Sequence, residues 1–226
     1  MKNKFEYLRA KKVLIKDSLH AFYIYETRQE VGNLFCGITA GASIKDYNTN
    51  VIKKHEATIT KREINFKIYL KAVQFNAAPV LLTYSDDPVI EKGIETAKKN
   101  AEEINAWNDE DQTHKIWCIN NLNDIITLKK MFANVPSLYI ADNHHRSVSS
   151  ALLANEMDIN LSAKNDNAYN YFLSYLIPEK QLNIYDYNRL IKNLNGITPK
   201  AFIDEIKLLF NVEDKGVDPY SSSLKN

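Results

Sequence analysis

The chain has 226 residues, 45% hydrophobic and 25% charged, with six Pro and six Gly, a composition that excludes disordered, collagen-like and membrane-embedded chains and argues against long linkers. Lys and Arg total 29 against 28 Asp and Glu, a net charge of +1, so no whole-molecule field gathers nucleic acid or an anionic membrane and any anion site is local.

Alternation makes Ala21 to Glu26 and Leu34 to Ile44 two strands of a hairpin around a turn at Val31-Gly32-Asn33. A third extended piece ends at Val51-Ile52, and Thr60-Lys61-Arg62-Glu63 has the T-x-x-E form of a capping box that opens a helix. Ile64, Ile68, Ala72 and Phe75 form one apolar stripe on that helix, read as core. Pro79 to Tyr84 reads as a buried strand, Ser85 to Pro88 as a turn and Ile90 to Trp107 as a charged helix. Then follow a strand at His114 to Ile119, a helix at Asn123 to Phe132, a strand at Ser137 to Ala141 and a helix from about Ser147 to Met157 with Val148, Ala151, Leu152 and Leu153 inward. Asn160 to Asn167 reads as a loop. Asn170 to Ile177 and Leu182 to Ile191 read as strands joined at Pro178-Glu179, Pro199 to Phe210 as an amphipathic helix, and Pro219 to Asn226 as a frayed end. The order predicts an α+β fold, a mixed sheet with flanking helices.

The first residues, Met1 to Glu6, lack a secretory apolar core, and no window approaches the roughly 18 apolar residues that cross a bilayer, so a cytoplasmic protein with no membrane partner is expected. Cys36 and Cys118 lie far apart in apolar surroundings outside any CxxC pair, and read as two buried thiols in a reducing compartment.

Chemistry concentrates first at Tyr139-Ile140-Ala141-Asp142-Asn143-His144-His145-Arg146-Ser147. A buried strand that stops at a polar loop and opens a helix aims unpaired N–H groups, and the positive end of the helix dipole, at the space above the sheet edge. His144, His145 and Arg146 add donors there, and Arg146 can grip a phosphate through two parallel hydrogen bonds. The bland alternative is a turn at Asp142 and Asn143 covered by two histidines. Adjacent histidines in extended backbone point apart, and no H-E-x-x-H or His-x-His spacing is present, so structural zinc is not expected. Asp142 is left as a Mg²⁺ ligand beside a nucleotide's phosphates.

The second place is Lys53-Lys54-His55-Glu56-Ala57-Thr58. Glu56 is open between a general base oriented by His55 and a carboxylate that compensates a helix dipole. Lys53, Lys54, Lys61 and Arg62 are open between phosphate partners and a solvated face. In the third, Tyr185-Asp186-Tyr187-Asn188-Arg189-Leu190, Arg189 is open between solvent and a ligand. His20 reads as a surface residue, and His114 and Trp117 as packing residues that begin a strand.

Taken together, I-K-K-H-E-A-T (Ile52 to Thr58), H-K-I-W (His114 to Trp117), Y-I-A-D-N-H-H-R (Tyr139 to Arg146) and D-Y-N-R-L-I (Asp186 to Ile191) resemble, over about residues 5 to 195, the bacterial and archaeal family catalogued as domain of unknown function 1015, whose hallmark is I-A-D-G-H-H-R. That family is similar to the ParB and sulfiredoxin fold and to SerK-type enzymes that phosphorylate free serine. The resemblance implies a ParB/sulfiredoxin-like nucleotide-binding core over 1–195, with a C-terminal helix and tail over 196–226. It implies ADP or ATP with Mg²⁺ as cofactor and a small hydroxyl compound, free L-serine among them, as substrate. It implies that Asp142, Asn143, His144, His145 and Arg146 hold phosphate, that Glu56 with His55 is catalytic, and that Arg189 is a further anion contact. Its alternative is a regulatory nucleotide module without catalysis, or an inactive shortened member. The family's Gly is Asn143 here, which tolerates positive φ but makes close approach of a phosphate harder; the family's amino-terminal P-P-Y-D segment is missing. Nucleic acid is not an expected partner, since the near-neutral charge carries no basic stripe.

Overall fold

The computed structural model describes residues 2–29, 32–109, 111–160, 167–184 and 189–216, with the side chains of 158–160 excepted. The chain divides into two compact units, Met1–Leu182 and Asn183–Asn226. The first holds α1 (Lys2–Ala10), β1 (Phe22–Gln29), β2 (Leu34–Ser43), α2 (Ile44–Asn48), β3 (Ile52–Lys53), α3 (Thr60–Val73), β4 (Val80–Tyr84), α4 (Pro88–Lys99), β5 (Glu102–Asn108), β6 (Gln112–Ile119), α5 (Leu122–Ala133), β7 (Leu138–Asp142), α6 (His144–Asn160) and β8 (Tyr171–Pro178). The second holds α7 (Pro199–Lys207), capped by the Thr198 hydroxyl, which accepts from Ala201 N–H at 3.2 Å.

The eight strands form one sheet in the order β3-β7-β4-β8-β2-β1-β6-β5. Parallel pairing joins β3 to β7 and β4 to β8, and every other neighbouring pair is antiparallel. The fold is therefore α+β with a mixed sheet and flanking helices. Helices α4 and α5 pack together, as do α3 and α6, with α4 against β6 and α6 against β4 and β8. One core runs through both groups, from Ile24, Trp117, Ile119, Ile90, Ile94 and Leu128 to Leu82, Ile140, Phe172 and Ala151. Among the described residues no helix is long and apolar enough to cross a membrane.

Local chemistry sets the helix starts. Asp87, followed by Pro88 at the first helical position, accepts from Val89 N–H at 2.8 Å to open α4. Asn121 caps α5 in the same way through Asn123 N–H at 2.9 Å.

Several elements differ from the sequence reading. The helix expected over Ile90 to Trp107 stops at Lys99, where Asn100 closes it, and Glu102–Asn108 is the edge strand β5, bulged between Glu103 and Asn105 and exposed throughout. Its polar, charge-rich surface suits an unprotected sheet edge and hides its strand character. The Ile64, Ile68, Ala72 stripe of α3 is not core: Ile64 and Ile68 are 45% and 58% exposed, and Ala72 is exposed. The helix docks on α6 through polar groups instead. Lys67 and Lys71 both bind Glu156, and the Glu63 carbonyl accepts from the Ser149 hydroxyl at 3.0 Å. Nor does the T-x-x-E box form: Thr60 is the first helical residue, Ile59 caps without a side-chain bond, and Glu63 takes the Thr58 hydroxyl.

α6 begins at His144 rather than Ser147, so His144, His145 and Arg146 sit in a helical turn, not an extended loop. No strand runs through 182–184 or 189–191; the rest of that prediction, 185–188, lies outside the described residues, as do Val31 of the first turn, 161–166 of the expected loop and the tail from 217. Helix α7 ends at Lys207, short of Phe210. Both cysteines are free thiols, Cys36 buried and Cys118 half-buried.

Candidate active site

Strands β3 and β7 are parallel neighbours, Ile52 beside Leu138 and Lys53 beside Tyr139, tied further by Leu138 N–H to the Val51 carbonyl at 3.1 Å. Parallel strands leave a sheet by the same edge, and each of these feeds a helix, α3 and α6, that packs on the other. The segments 54–59 and 142–146 therefore lie side by side, with two helix N-termini and their unpaired N–H groups next to them. Asn143 makes the turn into α6 with φ +71°, and its carbonyl accepts Arg146 N–H at 2.9 Å. Its side-chain amide donates to the Pro79 carbonyl at 3.1 Å, which anchors the turn to the start of β4. Asn thus supplies both the left-handed backbone and a tether that Gly could not.

His144 is 5% exposed. Its Nδ1 lies 3.3 Å from Glu56 Oε2, and its ring meets the His55 ring edge to face at 4.5 Å between centroids. Burial, followed by the neighbouring His55, pushes its pKa below the ordinary histidine value. The neutral ring, with a carboxylate facing Nδ1, favours its proton on that nitrogen and leaves Nε2 as a lone-pair acceptor. Nε2 is buried and has no hydrogen-bond partner among the described residues, and the same holds for Nδ1 of His145. Orphaned buried polar atoms are rare in folded proteins and call for a ligand or water. Glu56 itself is open to solvent, its side chain 61% exposed.

The other predicted residues distribute around this pair. Asp142 is exposed and accepts Asn143 N–H at 2.7 Å. The guanidinium of Arg146 lies over the Phe66 ring, 5.3 Å from its centroid. It lines a cavity of about 570 Å³ with Arg62, Asn65, Phe66, Tyr69 and Ala77. Lys54 turns onto the ring of buried Tyr47 at 3.9 Å. His55, Glu56 and His144 are brought together, while Asp142, Asn143, His145 and Arg146 share the strand-to-helix junction. Arg189 belongs to the second unit, and Tyr185 to Asn188 lie outside the described residues. Phe66 and Tyr69 were missed in the sequence; their signal was two rings three apart, one helical turn beyond Arg62. Among the described residues no group of three or more His, Cys, Asp or Glu side chains is arranged to hold a metal ion.

His114 is drawn into a different cluster on the sheet, where both ring nitrogens are bonded, to the Tyr25 hydroxyl at 2.7 Å and to Asp109 at 2.9 Å.

Comparison with known proteins gives one match: the family model described as "Protein of unknown function (DUF1015)" covers residues 1–225. No curated protein and no solved structure matches the chain.

Proposed function

Since the chain belongs to the DUF1015 family of proteins of unknown function, its chemistry must be read from its own residues, and we propose a nucleotide-dependent phosphotransferase acting on a small hydroxyl compound, free L-serine being the first to test. The observation that carries this reading is the Glu56–His144 pair, 3.3 Å apart, beside two neighbouring helix N-termini, with the other nitrogen of that imidazole buried and unpartnered among the described residues. The choice of a nucleotide also draws on the motif resemblance to ParB/sulfiredoxin-fold and SerK-type proteins. Free thiols at Cys36 and Cys118 accord with a reducing, cytoplasmic setting.

The residues present fit such a ligand. The first turn of α6 carries no acidic side chain and holds His144, His145 and Arg146, which suits an anion rather than a bare helix end. In this reading α6 N–H groups and Arg146 hold the donor's phosphates, and exposed Asp142 would hold Mg²⁺, which would supply positive charge against the phosphate oxygens. Glu56 accepts the proton of the substrate hydroxyl as its oxygen attacks the terminal phosphorus. The phosphorus–oxygen bond to the rest of the nucleotide breaks, and the nucleotide leaves with that electron pair. His144 holds the Glu56 carboxylate in place, and Arg146 balances charge that builds on the phosphoryl oxygens.

The test is phosphorus NMR of the chain with Mg²⁺, ADP or ATP, and L-serine, beside Glu56→Gln and Arg146→Ala. Phosphoserine is expected from the parent, with the rate down about 10²–10⁴-fold in Glu56→Gln. A second reading, a regulatory nucleotide module, is favoured by the 61% exposure of the Glu56 side chain, since a carboxylate open to solvent does not stand in the water-excluded setting that protects a phosphoryl transfer. Nucleotide signals that broaden with no product, equally in parent and Glu56→Gln, would select it.

A further inference from the structure

The cavity of about 570 Å³ between α3 and the start of α6 is lined by two guanidiniums, Arg62 and Arg146, the Asn65 amide, the rings of Phe66 and Tyr69, and Ala77. We infer that it takes an aromatic ring joined to an anionic chain, and that this ligand is the nucleoside end of the phosphate donor. The inference rests on the phosphotransferase reading only in naming the anionic chain as the donor's phosphates.

Several observations converge on it. Among the described residues the lining contains no carboxylate. Neither Arg62 nor Arg146 has a carboxylate partner among the described residues, although both stand in the first turn of a helix. A helix dipole disfavours a cation there, so two unpaired guanidiniums at adjacent N-termini are in place for an anion. Arg146 is already ordered against Phe66 at 5.3 Å, which leaves less side-chain freedom to lose on binding. The volume falls within the range of small-molecule sites, and Asn65 offers both a donor and an acceptor to a heterocycle's edge. Simple phosphate recognition uses donors alone; the two rings supply a stacking surface that a phosphate group does not use and a nucleobase does.

Isothermal titration of the full chain with ADP and with pyrophosphate separates the ring from the anion. ADP is expected to bind the parent more tightly than pyrophosphate. Phe66→Leu, which keeps an apolar side chain and removes the ring, should weaken ADP roughly 5- to 150-fold and weaken pyrophosphate, which loses only the ordering of Arg146, much less. Tyr69→Leu provides a second variant should the first fail to fold, as judged by circular dichroism. Equal affinity of the parent for ADP and pyrophosphate, no ADP binding, or ADP affinity indifferent to both substitutions in folded protein overturns the inference. Its fate is separable from that of the proposed reaction. Ring-dependent ADP binding with no phosphoserine formed leaves the cavity assignment standing and removes the transfer. Phosphoserine formed with a KM for ADP unmoved by Phe66→Leu and Tyr69→Leu removes the cavity assignment alone.

Discussion

Two histidines buried to nearly the same depth, His114 at 7% exposure and His144 at 5%, occupy opposite halves of the sheet and opposite chemical situations. His114 sits in the antiparallel half, β1-β6-β5, where cross-strand neighbours lie directly opposite one another. Tyr25 and Asp109 bond its two nitrogens, and Trp107 stacks on its ring at 4.8 Å between centroids. The Tyr175 hydroxyl continues the network to the Tyr25 carbonyl at 3.1 Å. His144 sits where the parallel pair β3 and β7 ends and two helices begin, and its Nε2 meets no partner among the described residues. Antiparallel strands close their polar groups on one another here, whereas parallel strands followed by helices leave N–H groups and side chains aimed past the sheet edge. An unfilled bonding capacity, more than burial or residue type, separates a candidate site from a structural cluster.

The contrast is broken or sharpened most strongly by His144→Leu. Removing the imidazole that holds Glu56 should cut phosphoryl transfer by about 10²–10⁴-fold, within the range of acid–base machinery, while the urea midpoint stays level or rises because a buried orphan nitrogen is gone. A lowered midpoint with transfer unchanged would make His144 a structural residue of the His114 kind. The complementary change, His114→Phe, keeps a ring against Trp107 and removes both hydrogen bonds. It should cost about 1–3 kcal/mol in urea unfolding, chiefly from the stranded Tyr25 hydroxyl, with transfer unchanged. If transfer fell instead, the sheet cluster would have a part in the chemistry.

The same contrast explains what the sequence disclosed. Strands β1, β2, β4, β6, β7 and β8 and helix α5 were legible because burial imposes period 2 or a capping side chain marks the start. Strand β5 was not, because at the sheet edge Glu102 to Asn108 stay exposed and need no apolar face. The Ile64 and Ile68 stripe misled because α3 docks by its Glu63, Lys67 and Lys71 side, where Glu156 of α6 gathers both lysines. No element was anticipated for Lys2–Ala10, which forms α1 and stacks Phe5 on Phe75 at 4.3 Å. At the site, the polar break after an apolar strand exposed His144, His145 and Arg146, and the Glu56 loop likewise. Their meeting was implied by the family resemblance alone and not by any local pattern, since it depends on β3 pairing with β7 across more than eighty residues. Phe66 and Tyr69 drew no reading from the sequence, since two rings on a helix do not mark a site without the guanidinium of Arg146 that lies over Phe66.

The smallest effect expected is on stability against pH, and it tests the state of His144 without reference to any ligand. In the unfolded chain this imidazole titrates near 6.5. In the fold its pKa is lower, because burial strips water from the imidazolium and His55 adds repulsion, with Glu56 and Asp142 opposing in part. Below about pH 6.5 the unfolded state therefore binds more protons than the native state, and stability falls as pH falls through that value toward the depressed folded pKa. Above it the ring is neutral in both states and contributes no slope. Urea unfolding of the parent and of His144→Leu over about pH 8 to 5 should give profiles that keep a constant separation at the alkaline end and change it below about 6.5, with the parent losing more. Parallel profiles would mean that the ring takes up its proton in the fold as readily as in water. Such a ring would form an ordinary ion pair with Glu56 and would hold no lone pair ready for a substrate.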